Sequence, residues 1–117
     1  MNVKLIRTST FVHPCQILQI DESGKQHQAR LRVRFNAMPR AKWEELSKAT
    51  EDDDRLLFDV VVAGIEDTIE VDGAPLSPED AVRFVREDLS LSSQVVDQFM
   101  EVNFGAAAKN ARRSRGR

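Results

Sequence analysis

From Arg30 to Phe35 the chain alternates strictly: Arg30-Leu31-Arg32-Val33-Arg34-Phe35. A period of two puts Leu31, Val33 and Phe35 on one face and three arginines on the other. That is the pattern of a half-buried strand. The stretch before it, "CQILQIDESGKQHQA", reads as a partner strand followed by the turn residues Asp21 to Lys25. "VKLIRT", near the start, is short and β-prone. The first third therefore predicts a small antiparallel sheet with an arginine-lined outer face.

Further along, the period lengthens. Pro39 suits the opening of a helix, where its missing N–H costs nothing. Trp43, Leu46 and the stem of Lys42 would cover the inner side of that helix. Leu56, Leu57, Val60, Val61 and Gly64 recur at helical spacing behind the acids Glu51 to Asp54. Acids favour the positive end of the helix dipole, so a second helix is expected, ending near Gly64. The β-branched run Val60-Val61-Val62 pulls toward strand instead, and "TIEV" suits a short strand.

Asp72-Gly73 signals a turn. Ser77 is a good N-cap, Pro78 fits the first helical position, and Asp80 stands where a capping-box acid would be. Ala81, Val82, Val85 and Leu89 would form the inner face of this helix. A break at Asp88-Leu89-Ser90 leads to a last helix from Leu91 to Ala108. Its apolar residues Leu91, Val95, Val96, Phe99, Met100 and Val102 cover about half the circumference. The expected fold is α+β: a small N-terminal antiparallel sheet followed by three to four helices. One domain would span residues 1–108, with a flexible basic tail over 109–117.

Composition adds limits. The chain has 117 residues, enough for one modest core. No apolar run approaches the length that spans a bilayer. The opening "MNVKLIRTSTFVHPC" has no signal-peptide pattern, so a cytoplasmic protein with no membrane partner is expected. Charge is distributed in blocks. Residues 1–50 carry nine Lys/Arg against four Asp/Glu, and residues 51–80 carry one Arg against eleven acids. "KNARRSRGR" at the end has five basic residues and no acid. Such blocks decide which surfaces attract which partners.

Candidate chemistry is sparse. His13, Cys15 and His27 are the only soft metal ligands, and they lack the paired spacing of a zinc site. Cys15 has no basic helix N-terminus before it to activate a thiolate. "DTIEVDG" places Ile69 and Val71 where a calcium loop needs oxygen ligands. "EDDD" reads as a solvated acidic helix start. Gly64, Gly73 and Gly105 are isolated and form no phosphate loop. No catalytic, cofactor or metal residue is expected, and a binding or scaffolding role is favoured.

The order of three phrases carries a resemblance. They are "VRFNAMPRAKWEEL", "LLFDVVVAGIEDTIEVDGAPLSPEDAVRFV" and "SSQVVDQFMEVNFGAAAKN". From Val33 to Asn110 the chain resembles the tail assembly chaperones of long-tailed phages and prophages. Ile65 stands where that family usually has tryptophan, and the opening strands match only loosely. The resemblance implies a non-enzymatic protein that binds the aggregation-prone tape measure protein and aids assembly of the tail tube. It also implies absence from the mature virion. The implied surface is apolar, with Phe84, Phe99, Met100 and Phe104 as candidate partner-binding residues. A rival reading is a small nucleic-acid-binding or adaptor protein that uses the arginine face and the basic tail.

Many relatives in the resembled family also make a longer product by ribosomal slippage, whose extension would bind tube subunits. Ala108-Lys109-Asn110 can be encoded by GCA-AAA-AAC, which contains the slippery heptamer A-AAA-AAC. The expectation is that the gene uses these codons and yields a minor, larger protein. The shared body would then hold the tape measure while the extension recruits the tube, raising their effective concentration. Nucleotide sequencing and immunoblotting check this. Synonymous codons that forbid re-pairing would rule it out.

Overall fold

A computed structural model of the chain describes residues 1–49 and 54–105. The side chains of residues 46–56 also lie outside the description, so the inner-face roles expected for Leu46 and Leu56 do too. So do "EDD" of the acidic run and the basic tail. The architecture is α+β, and the described residues form a three-stranded antiparallel sheet, a two-stranded hairpin and four helices.

Strands β1 (Thr10–Ile20) and β2 (Gln26–Asn36) form a long hairpin. The alternation around Leu31, Val33 and Phe35 does set the inner face, and Arg30, Arg32 and Arg34 point outward. On β1, Phe11, His13, Cys15 and Ile17 share that inner face. The turn is closed by one carboxylate. Asp21 accepts hydrogen bonds from the Ser23 N–H (2.9 Å), the Ser23 hydroxyl (2.7 Å) and the Lys25 N–H (2.9 Å). Gly24, at φ 85°, supplies the left-handed residue of the bend.

β1 begins five residues earlier than the sequence suggested and includes Pro14. It is the edge strand of the order β1-β2-β3, where a residue without an N–H does no harm. "VKLIRT", expected as a strand, is irregular and exposed instead. Among the described residues nothing pairs with it, and an unpaired strand does not hold its shape in water.

Helix α1 (Arg40–Ala49) starts after Pro39 as expected. Helix α2 (Asp54–Val61) stops three residues before Gly64 and runs directly into β3 (Val62–Ile65). Here β-propensity and pairing with β2 overrode the helical spacing. The pairing shifts register between Arg34 and Phe35, so Ala63 is inserted as a bulge. Val62 and Ile65 are thereby both turned into the core, although they are three apart. The sheet is therefore completed by a strand from mid-chain rather than being wholly N-terminal.

β4 (Glu70–Val71) and β5 (Ala74–Pro75) flank the Asp72-Gly73 turn. Both turn residues have positive φ, 53° and 78°, as a two-residue hairpin loop of primed type requires. Helix α3 (Pro78–Glu87) is capped by the Ser77 hydroxyl, which accepts from the Asp80 N–H at 3.2 Å. Asp88 ends α3 in an extended conformation and caps α4 (Leu89–Phe104), accepting from the Leu91 N–H at 3.0 Å. The break is thus one residue long. Leu89, expected on the inner face of α3, is 79% exposed, because α3's register stops before it. Gly105, at φ 88°, ends α4 short of Ala108.

The core lies between the sheet's inner face and α2, α3 and α4. Phe35, Phe58 and Phe99 are its largest fully buried side chains. An aromatic row crosses it: Phe11–Phe35 (5.7 Å), Phe35–Phe99 (5.4 Å), Trp43–Phe99 (5.8 Å) and Trp43–Phe104 (5.1 Å). Arg86 of α3 clasps Asp59 of α2 through both oxygens, at 2.6 and 2.9 Å. Val102, expected within the apolar arc of α4, lies on its exposed side.

α4 also guards the free edge of β1. Gln98 accepts from the Gln16 N–H (2.7 Å) and donates to the Gln16 carbonyl (2.6 Å). Gln94 does the same for Leu18, at 2.8 and 2.9 Å. Each side-chain amide reproduces the contacts of a missing neighbouring strand. With Pro14 two residues earlier, these glutamines leave little of the edge open to another chain. Replacing Gln94 and Gln98 together with Ala should lower the unfolding free energy by about 1–3 kcal/mol. It should also speed aggregation of the native protein. Urea titration and light scattering measure both, and no change in either would contradict the edge-guarding role.

Candidate functional site

An open groove of about 760 Å³ lies under the far end of the β1–β2 hairpin. Its apolar lining comes from Ile17 and Leu31 of the sheet, Ile69 and Val71 of the segment before the Asp72-Gly73 turn, Phe84 of α3 and Leu91 of α4. The turn fixes where Ile69 and Val71 stand, and the Leu76 N–H donates to the Ile69 carbonyl at 2.8 Å to close it. The Ser77 cap fixes the rotation of α3. Ala81 and Val85 then face the core, and Phe84, off that stripe, is left 37% exposed. Phe84 also borders a shallower depression shared with Leu76 and Arg83.

The groove's rim is mainly acidic, with Asp67, Glu70 and Asp72 on one side and Arg30 on the other. Asp67 is occupied. It accepts from the Arg32 N–H and from Arg32 Nε, both at 2.8 Å, and Arg32 holds its carboxyl below the usual range. Arg34 is engaged by Glu66 and donates to the Thr10 hydroxyl at 3.0 Å. Two of the three outer-face arginines are therefore neutralised by the loop after β3. Arg30 has no described partner.

The four candidate partner-binding residues separate. Phe84 sits in the groove. Phe99 and Met100 are 1% and 5% exposed and belong to the core, so they cannot serve as a docking surface in the folded chain. Their place on α4 faces the sheet, because the helix's apolar arc, apart from Val102, is turned onto Phe35 and its neighbours. Phe104 is 48% exposed but stacks on Trp43, away from the groove lining. Ile69 and Val71 were missed by reasoning from the sequence. Their alternation with Thr68, Glu70 and Asp72 was the available signal, a short period-two pattern within an acidic phrase.

The soft-ligand candidates do not converge. His13 and Cys15 lie along β1, whereas His27 pairs with Gln19 across the hairpin and binds Asp21 at 2.7 Å. That bond, with those from Ser23 and Lys25, pulls the Asp21 carboxyl down to about 2. No group of three or more metal-ligating side chains occurs among the described residues, nor does a helix long and apolar enough to cross a membrane. Comparison with protein-family models, curated proteins and solved structures gave no match.

Cys15 is fully buried, and burial pushes its thiol up to about 12. The thiol is therefore neutral at ordinary pH, and the thiolate is the reactive species. Labelling by a thiol reagent at pH 8 should proceed only as fast as the protein opens. In denaturant it should be immediate. Rapid labelling of the native protein would contradict this burial.

Proposed function

We propose that the chain is a non-enzymatic binding protein of the tail assembly chaperone kind, which holds the tape measure protein while tube subunits assemble around it. The observation that carries the reading is the Phe84 groove. Part of its lining comes from "EDTIEVDGAPLSPEDAVRFV", which lies within one of the three phrases whose order carries the resemblance. There the turn and the helix cap hold an aromatic side chain at the edge of an apolar trough. Exposed aromatics in such troughs are typical anchors of protein interfaces.

The groove suits a client that presents apolar side chains from one face. Its acidic rim would favour a client with basic residues beside them and would keep the free protein soluble. The nucleic-acid reading has less support. A phosphate backbone needs available cations, and Arg32 and Arg34 already hold carboxylates.

If a very long helical reading frame lies downstream of this gene, co-expression with its product should yield a soluble complex. Phe84→Ser should weaken that complex at least ~10-fold while costing less than ~1.5 kcal/mol of stability, as for a half-exposed anchor. Calorimetric titration and urea unfolding read the two effects. Unchanged affinity would remove Phe84 from the interface. Steep, salt-dependent binding of DNA or RNA with no effect on the tape measure protein would overturn the chaperone reading.

A further inference from the structure

Residues 1–9 form no secondary structure, and Val3, Leu5 and Ile6 are 78–90% exposed. The stretch is β-prone and carries Lys4 and Arg7 with no acid. An apolar, strand-like arm with nothing covering it is an unusual surface for a folded protein.

The groove offers what this arm lacks. β3 pairs with β2 only at Val33, Arg34 and Phe35, and the Arg32 main chain is met by Glu66 and Asp67. Beyond that point Arg30 and Gln28 turn their main-chain N–H and C=O toward the same side, with no described partner. Arg30 lines the groove, so this open edge runs along it. A strand laid there would gain main-chain hydrogen bonds on one side, and its alternate side chains would enter the trough beside Leu31 and Phe84. The charges also match: Glu70 and Asp72 on the rim have no described partner, and Lys4 and Arg7 carry the opposite sign.

The arm cannot bring both Val3 and Leu5 to its own groove. Leu5 is five residues before Thr10, a span of at most ~18 Å when fully extended. The groove begins on β1 at Ile17, seven residues past Thr10 and about 23 Å along the strand. It also opens on the far edge of the sheet. We propose that residues 3–7 of a second copy of this chain occupy the groove, added as a strand to the open edge of β2, with Val3 and Leu5 in the trough. This contact does not depend on the chaperone reading. A client segment would have to displace it.

Sedimentation of the full chain over a wide concentration range tests the idea. Reversible self-association is expected. Removing residues 1–8 or introducing Leu5→Asp should abolish it or weaken it at least ~10-fold, as befits loss of a buried anchor. Thermal unfolding of the dilute, monomeric chain should be unchanged. Glu70→Lys, at an exposed site, should weaken it without touching the core, and Lys4→Glu in the arm should restore part of the loss. Mixing Leu5→Asp with Phe84→Ser chains should restore association in part, since one intact arm then meets one intact groove. A strictly monomeric protein would overturn the proposal, as would association that survives removal of residues 1–8. Association lost on removing residues 109–117 but kept without the arm would assign the groove to the tail instead. Titrating the tape measure protein against chains that lack residues 1–8 reads the chaperone proposal separately, because no arm then competes for the groove.

Discussion

The contact between Phe35 and Phe99 is the one on which the rest of this fold depends. Each ring is fully buried, Phe35 near the end of β2 and Phe99 in the second half of α4. The apolar face of the three-stranded sheet has to be buried against another element. α4 covers that face, and the other helices are arranged around the helix so placed. Trp43 of α1 packs on Phe99, and α3 is joined to α4 through a single residue, Asp88. Moving α4 would expose the sheet, undo the two glutamine contacts at its edge and release the helix that carries Phe84.

Much of this could be read from the sequence where a local rule and the tertiary environment agreed. The strand at Leu31–Phe35, the Asp72-Gly73 turn and the Ser77 cap are of that kind. In each, propensity, periodicity and burial point the same way. They diverge at Val60–Ile65. There a helical stripe and a β-branched run overlap, and only the presence of β2 as a pairing partner decides where the helix stops. "VKLIRT" fails for the opposite reason: its propensity is genuine, but no partner strand is in reach within the described chain. Leu89 shows that one cap residue can shift a whole apolar stripe out of phase.

The candidate site was less legible than the fold. An amphipathic stripe distinguishes core from surface, but not one exposed aromatic from another. Phe99 and Met100 looked as available as Phe84 because the sequence shows α4's apolar arc without showing how much of it the sheet covers. The arginine face misled in another way. Alternation correctly placed Arg32 and Arg34 outward. Their neutralisers, Glu66 and Asp67, lie more than thirty positions away and become neighbours only once the bulge at Ala63 has turned the chain.

The glutamine contacts have a consequence for the order of synthesis. β1 and β2 emerge from the ribosome first, and their hairpin can close as soon as Asn36 is free. The residues that shield the hairpin's free edge, Gln94 and Gln98, are made some sixty positions later than β2. Until then the nascent chain presents an unguarded strand edge beside an uncovered apolar face, the combination most prone to mispairing. Among the described residues Pro14 is the one edge guard already present during that interval. Its place in the middle of β1 interrupts the edge before any helix exists to cover it, protecting a chain that is only half made.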